Sequence, residues 1–274
     1  MKNILLLTDF SQSSKNAMHY AAMLFENKAI NFHLVYVHKA SAFTSADLMT
    51  TGNANLYASI VKTPKEDLED LAQDLQTECN NPKHTYNVHI DYDVFTDAIN
   101  QFVVLNGIQL IIMGTNGVTG ADEVVFGSHT LNVIRKVSCP TLIIPNGFKF
   151  VKPKSILLPL DEKDQLNQQR LNQIFNIVSK EASRFHVLRI TETAEDHTTD
   201  INTLKSLLKS GNYKYHHVIN VPMDKVVDTY MQTNTIDLEV FIIQKTSFLE
   251  RLFMGSPITK HSKIASVPLY ILHD

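Results

Sequence analysis

A glycine-rich segment that follows an apolar run is the part of this sequence best suited to chemistry. It reads MGTNGVTGADEVVFGSHT from Met113 to Thr130, with the spacing Gly114-x2-Gly117-x9-Gly127. Glycines let backbone N–H groups approach phosphate oxygens closely, and the hydroxyls of Ser128 and Thr130 add donors. A helix predicted to begin near Ser128 directs the positive end of its dipole at the same place. The pattern predicts a phosphate cradle, whereas one glycine alone would indicate only a turn.

A carboxylate at the end of the first predicted strand is the second candidate. Asp9 closes the run NILLLTD and precedes a helix that Ser11 is placed to cap. In an open parallel sheet, ligands bind outside the carboxyl ends of the strands, where both Asp9 and the glycine-rich segment fall. Asp9 could instead stabilise the helix N-terminus and nothing more. The sequence leaves both interpretations open.

The elements that must position these residues alternate between strand and helix. Short apolar runs predict buried strands, with an outer strand among them, at 3–9, 32–37, 87–94, 108–114 and 139–145. Helical spacing predicts helices after Ser11, from Pro64 to Cys79, over 98–104 and around 132–136. Residues 40–60 are predicted as a loop or a short irregular helix. This β-α alternation predicts a doubly wound parallel sheet with helices on both faces.

The pattern restarts after residue 147. The repeated segments are KNILLLTD (2–9) with KSILLPLD (154–161), FHLVYV (32–37) with FHVLRI (185–190), and IQLIIM (108–113) with LEVFII (238–243). This duplication predicts an α/β chain of two tandem doubly wound five-stranded parallel-sheet domains, at 1–147 and 152–274. The closing runs PTLIIP and VPLYIL resemble edge strands. We expect them to pair within the chain as an intramolecular pseudo-dimer, and a further homodimer stays open.

Together these motifs resemble the universal stress protein family. The resemblance rests on the glycine spacing, on the strand end Thr8-Asp9-Phe10-Ser11 and on the closing segment SCPTLIIP at 138–145. It covers nearly all of 1–147 and, more weakly, 152–274. It implies the adenine nucleotide alpha hydrolase-like fold and a site for ATP, or for AMP or ADP, with Mg²⁺ as a candidate companion ion. In that family the glycine pattern separates the ATP-binding members from the others.

The resemblance also assigns the nucleotide site position by position. Asp9 matches the aspartate that accepts a hydrogen bond from the adenine end of the nucleotide. The adenine and ribose positions are Leu7, Thr8, Asp9, Val37, Met113 and Gly114. The phosphate positions are Gly117, Gly127, Ser128, His129 and Thr130. The departures are Asn116, where a histidine is common, and His129, where an apolar residue is common.

The second repeat departs from the pattern. Gln244–Thr246 stand where the first repeat has its first glycine-rich turn, and Pro257 removes an N–H next to the surviving Gly255–Ser256. The close approach of the backbone is lost, so we expect no nucleotide in the second domain. Asp161 is kept, which suits a helix cap as well as a ligand.

Composition limits the other classes of function. A formal net charge of −3 does not favour binding to the nucleic-acid backbone. No Walker A or G-x-S-x-G motif is present, and the twelve histidines form no tightly spaced ligand set. We therefore predict no catalytic residue and no metal site. The two cysteines, and the lack of a leader or of an apolar run of ~20 residues, favour a cytoplasmic protein without a membrane partner.

The leading hypothesis is a stress-response regulator that binds an adenine nucleotide in its first domain. Two other classes stay open, a nucleotide-free interaction scaffold and a slow ATPase. A visible catalytic base is missing from the sequence, so fast hydrolysis is not expected.

Overall fold

The computed structural model of the 274-residue chain describes residues 1–38, 54–115, 126–194, 198–209, 211–243 and 266–273. For residues 54–62 only the backbone is described. The strands of the described part are β1 (Lys2–Leu7), β2 (Ile30–Val37), β3 (His84–Asp91), β4 (Leu110–Gly114), β5 (Thr141–Ile144), β6 (Ser155–Leu160), β7 (Arg184–Thr191), β8 (Tyr213–Ile219), β9 (Leu238–Ile243) and β10 (Leu269–His273). Its helices are α1 (Gln12–Leu24), α2 (Ala54–Cys79), α3 (Phe95–Leu105), α4 (Ser128–Lys136), α5 (Gln168–Phe175), α6 (Thr198–Leu207) and α7 (Met223–Thr233).

All ten of these strands belong to one sheet, in the order β3-β2-β1-β4-β5-β10-β9-β6-β7-β8. Within each half of the chain the neighbouring strands are parallel, and the second half repeats the strand order of the first. The predicted α/β fold with two tandem five-stranded parallel units is therefore confirmed. The structure adds that the two units form one continuous sheet.

Two hydrophobic cores cover the faces of this sheet. On one face, buried side chains from α1, α2, α5 and α6 pack against the strands, and on the other face those from α3, α4 and α7 do so. The strands read as continuous apolar runs because helices cover both faces. Parallel strands need helical crossovers of this kind, so the carboxyl ends of β1, β2 and β4 meet at one edge of the first half.

The two halves meet where β5 and β10 pair antiparallel. Leu269 lies opposite Ile143, and Ile271 lies opposite Thr141. The sequence predicted that the two closing strands would pair within the chain, and the register shows that they do. Both strands are almost entirely buried, so this junction has the character of a core.

Helix α2 differs from the prediction at its start. It begins at Ala54 and contains Pro64, which the sequence placed at the first turn. The prediction over 40–60 was a loop or a short irregular helix; residues 54–60 belong to a long helix, while 40–53 lies outside the described residues. An internal proline costs about 3 kcal/mol or more through one lost hydrogen bond and a steric clash. The apolar positions Leu56, Tyr57, Ile60 and Val61 keep helical spacing, which favours continuing the helix through it.

Candidate functional site

A cleft of about 420 Å³ lies at the carboxyl ends of β1, β2 and β4. Eight of the predicted site residues line it, and they are Leu7, Thr8, Asp9, Val37, Met113, Gly114, His129 and Thr130. Gly127 and Ser128 lie at the start of α4 but do not line the cleft, and Gly117 lies outside the described residues. The fold thus gathers residues from four separate parts of the sequence at one edge of the sheet.

The turn between β1 and α1 is held by short-range hydrogen bonds. Phe10 has a φ of 63°, which is unusual for a bulky side chain. Its N–H donates to Thr8 Oγ1 at 2.9 Å, and the Ser11 N–H donates to Asp9 Oδ1 at 3.1 Å. Ser11 then caps α1 by accepting the N–H of Ser14 at 3.2 Å. These bonds offset a backbone strain of about 1–3 kcal/mol and fix the first wall of the cleft.

The carboxylate of Asp9 is ionised at neutral pH. Partial burial by itself would raise the pKa of Asp9, but hydrogen bonds from Ser11 and Ser14 outweigh it and hold the pKa below its usual value. The side chain is exposed at the edge of the cleft. The turn geometry accounts for its capping contact, and the position also leaves the charge within reach of a ligand in the cleft.

Gly114 is required by packing between β4 and α1. A Cβ on Gly114 would lie 2.6 Å from the carbonyl oxygen of Ser13 and 2.7 Å from its carbonyl carbon. Ser13 Oγ in turn donates to the carbonyl oxygen of Thr115. The glycine segment was predicted to let the backbone approach phosphate oxygens, and the family resemblance placed Gly114 beside the ribose. The structure adds a packing reason for this glycine, because the nearest backbone is that of the protein's own helix.

The end of β2 provides an aromatic and apolar side of the cleft. The rings of Phe10 and Tyr36 are 4.8 Å apart, and the Tyr36 hydroxyl lies 3.4 Å from His38 Nδ1. Val37 lines the cleft next to them, and Met113 faces it from β4. A flat apolar group would be accommodated between these side chains.

The start of α4 forms the opposite, polar side. Gly127 is the N-cap residue, and having no side chain it forms no capping hydrogen bond. The first N–H groups of a helix lack acceptors within the helix, so this end suits a negatively charged ligand. Thr130 Oγ1 donates to the carbonyl oxygen of Gly114 at 3.4 Å, and the ring of His129 packs edge-on to Phe95 at 4.1 Å.

Several residues of the cleft were not predicted from the sequence. They are Ser11, Ser13, Ser14, Tyr36, His38, Phe95 and Thr115. The run SQSS at 11–14 was a usable signal, because hydroxyl side chains at the start of a helix that faces a ligand edge can both cap the helix and line the site. Phe95 and His38 offered no such signal, since their place depends on how α3 and β2 pack.

The pairing of the strands corrects the sequence alignment of the two repeats. Ile4 pairs with Leu110 and the corresponding Ile156 pairs with Leu238, so Leu238 matches Leu110 and not Ile108. The correspondence between LEVFII and IQLIIM is therefore wrong by two residues. Ile242, and not Gln244, takes the place of Gly114, and it is 1% exposed. The glycine at this position is thus replaced by a buried branched side chain, while Gln244–Thr246, Gly255–Ser256 and Pro257 lie outside the described residues.

A buried ion pair occupies the corresponding edge of the second half. Arg189 stands where the first repeat has Tyr36, and its Nη2 lies 2.7 Å from Asp200 Oδ2. Its Nη1 donates to the carbonyl oxygens of Asp161 and Asp164. A buried charge needs both a partner and further hydrogen bonds, and Arg189 has them. The loop after β6 is thereby tied to β7, an arrangement unlike that of the first half.

Among the described residues, no three His, Cys, Asp or Glu side chains lie together in a way that could hold a metal ion. Within the same residues, every helix is too short or too polar to cross a bilayer.

The fold defines an α/β protein of two repeated doubly wound halves joined edge to edge. A sequence profile described as the Universal stress protein family matches residues 1–145, which is more than half of the chain. The chain therefore belongs to the universal stress protein family and is accordingly a stress-response protein.

Similar proteins agree with this assignment. Universal stress protein MJ0531 of Methanocaldococcus jannaschii is 26% identical over 143 residues, which cover 52% of this chain and 81% of that protein. Universal stress protein MJ0577 of the same organism is 27% identical over 152 residues, which cover 52% of this chain and 94% of that protein. The crystal structure of a universal stress protein from Archaeoglobus fulgidus DSM 4304 matches with a TM-score of 0.73 at 14% identity, covering 99% of this chain and 98% of that one. That last likeness shows a common fold over both halves.

Proposed function

We propose that the cleft of the first half binds an adenine nucleotide, with ATP as the leading candidate and AMP or ADP as alternatives. The observation that carries this proposal is the meeting of an apolar side, a carboxylate and an uncapped helix N-terminus around one cleft of about 420 Å³. That volume lies within the range of about 300–1,000 Å³ that is usual for small-molecule sites.

The chemistry of the cleft is graded from one side to the other. Leu7, Val37 and Met113 offer apolar surface for a base. The first N–H groups of α4 offer donors for phosphate oxygens, whereas the Thr130 hydroxyl already donates to the Gly114 carbonyl oxygen. Asp9, which is ionised, lies on the β1 side of the cleft and suits a hydroxyl or amino donor of the nucleoside. Mg²⁺, where present, would bind together with the phosphate groups of the nucleotide.

The nucleotide acts in this proposal as a regulatory ligand. A ligand that binds only the folded state adds stability as RT ln(1 + [L]/Kd), so occupancy alone can change the population of a conformation. We propose domain bounds at 1–147 and 152–274, a division that the repeated strand order supports. Both cysteines are free thiols, which suits the reducing cytoplasm.

The second half is proposed to be free of nucleotide. Ile242 fills the position of Gly114, and Arg189 with its hydrogen bonds takes the position of Tyr36. The proposal therefore gives one nucleotide site per chain.

The test compares two matched aspartates by calorimetry with ATP and Mg²⁺. Asp9→Ala is expected to weaken binding by about tenfold to a hundredfold, the usual effect of losing a charged hydrogen bond. Asp161→Ala, the equivalent change in the second half, is expected to leave the affinity unchanged. Thermal shifts with ATP should follow the same order.

Two results would contradict the proposal. One is a wild-type protein that shows neither heat of binding nor a thermal shift with ATP, ADP or AMP, which would favour a nucleotide-free scaffold. The other is equal affinity of wild type and Asp9→Ala. Release of phosphate during the titration would show slow ATPase activity.

A further inference from the structure

A second pocket lies at the opposite end of the sheet, in the second half of the chain. It has a volume of about 440 Å³ and lies at the amino ends of β6, β7 and β8, near the end of α7. Three basic side chains line it, and they are Lys154, Arg184 and Lys214. The hydroxyls of Ser155 and Ser183 and the ring of His186 line it as well.

In the first half Lys2 holds the position of Lys154 and donates to Asn176 Oδ1, and amides stand in place of the other two cations. By strand register, Asn3 and Asn31 correspond to Ser155 and Arg184, and Asn87 corresponds to Lys214. Asn31 Nδ2 donates to Asn3 Oδ1 at 3.0 Å, and Asn87 Nδ2 donates to Asn31 Oδ1. In the first half these three amide side chains are therefore hydrogen-bonded to one another. The second half has two cations where the first has two amides.

The basic side chains of the second pocket lack polar side-chain contacts with other described residues. None of the three forms a salt bridge or a side-chain hydrogen bond with another described residue. His186, which is 5% exposed, is held between Ser155 Oγ at 3.2 Å and the Tyr230 hydroxyl at 2.8 Å. The pKa of His186 is lowered by burial first and then by the positive charges of Lys214, Arg184 and His216.

Two carboxylates lie beside these three exposed cations. Glu181 lines the pocket and is exposed. Asp237 Oδ2 accepts the backbone N–H groups of Lys154 and Ser155, at 3.0 and 2.9 Å. The end of α7 has a partial negative charge, but Asn234 donates both its backbone N–H and its Nδ2 to the Tyr230 carbonyl there. The three cations outnumber the two carboxylates, so the pocket keeps a small net positive charge.

We propose that this pocket binds a small anion that carries a phosphate group. Guanidinium and ammonium groups together recognise phosphate, one through paired N–H donors and the other as a point charge. The volume exceeds what a single phosphate fills, and Asn212, Asn234 and Thr235 offer amide and hydroxyl partners for the rest of the ligand. The ligand class is a phosphate monoester of a polar molecule such as a sugar phosphate.

The experiment titrates the full chain with inorganic phosphate and with ribose 5-phosphate at low ionic strength, followed by calorimetry. The double variant Arg184→Gln/Lys214→Gln removes two charges, and Lys65→Gln/Lys83→Gln is the control with the same net charge. We expect ribose 5-phosphate to bind the wild type and the control alike, and the pocket variant to bind it at least about tenfold more weakly. Asp9→Ala should bind it as the wild type does, since the nucleotide cleft lies at the other end of the strands.

The protein's affinity for ribose 5-phosphate, compared with its affinity for inorganic phosphate, distinguishes a phosphate ester from the free anion. Tighter binding of ribose 5-phosphate than of inorganic phosphate supports a phosphate ester, and equal binding supports the free anion. The proposal is overturned if neither probe binds the wild type, or if the pocket variant with an unchanged melting temperature binds as tightly as the control. A loss of binding in Asp9→Ala alone would place the anion in the nucleotide cleft and also overturn it.

Discussion

Asp9 and Asp161 occupy the same position in the two halves and form the same local contact. Asp9 Oδ1 accepts the N–H of Ser11 at 3.1 Å, and Asp161 Oδ1 accepts the N–H of Lys163 at 2.8 Å. Turn geometry therefore explains why an aspartate is present in both halves, and a ligand is not needed to explain either. What differs is the neighbouring strand, where one half has Gly114 and the other has Ile242.

At this scale the structure makes a prediction about Gly114→Ala. The new methyl group would lie within 2.7 Å of the Ser13 carbonyl group, so α1 must move away from β4. We expect a loss of about 1–3 kcal/mol in the free energy of unfolding, as for other overpacked cores. Urea denaturation measures it.

A second variant separates side-chain from backbone contact. Because the carbonyl group of Ser13 is as close as its hydroxyl, Ser13→Ala should not restore the stability of Gly114→Ala. Full recovery in the double variant would show that only the Ser13 hydroxyl is in the way.

Among the elements, β9 carries an unusual residue for a central strand. Glu239 is 0% exposed and lies between Leu157 of β6 and Leu269 of β10. Both oxygens of its carboxyl group lack a hydrogen-bond partner among the described residues. Burial first, and then the charge of Asp228 on α7, raise the pKa of Glu239 well above its usual value. The folded state therefore favours the protonated form of this carboxyl.

This placement predicts a pH dependence for Glu239→Gln. A folded-state pKa above the unfolded value means that the wild type loses stability as pH rises from the unfolded pKa towards the folded one. Over that window the variant should gain up to about 1.4 kcal/mol per pH unit relative to the wild type, and the gain should level off above the folded pKa. Chemical denaturation between pH 4 and pH 9 measures it, with Glu181→Gln as the exposed control. Parallel curves for wild type and Glu239→Gln would show that the carboxyl is solvated or paired.

For the molecule as a whole, the junction between β5 and β10 determines how the halves associate. An unpaired buried edge strand is a template for pairing with another chain. We therefore expect a fragment of residues 1–147 to form a homodimer through β5, whereas mixing it with residues 152–274 should give a complex of one copy of each. Light scattering after size exclusion measures both masses. A monomeric 1–147 fragment that keeps its secondary structure would show that β5 is stable as a free edge.

Much of the architecture followed from local patterns. Apolar runs such as those of β1 and β4, separated by helical spacing, determined the α/β class, and the repeat of KNILLLTD by KSILLPLD determined the tandem arrangement. The same reasoning predicted that Asp9, Met113 and Thr130 lie at one edge of the sheet, because the carboxyl ends of parallel strands meet there. These features depend on residue type and spacing, which a sequence carries directly.

Only the tertiary structure decided the remaining features. The apolar runs IQLIIM and LEVFII are similar in any alignment, so their two-residue offset became visible only through pairing with β1 and β6. The contact of Gly114 with Ser13, the ion pair of Arg189 with Asp200, and the start of α2 before Pro64 were likewise decided by tertiary packing. Each depends on which distant segment lies next to a residue, and a linear pattern of apolar and polar positions does not specify that neighbour.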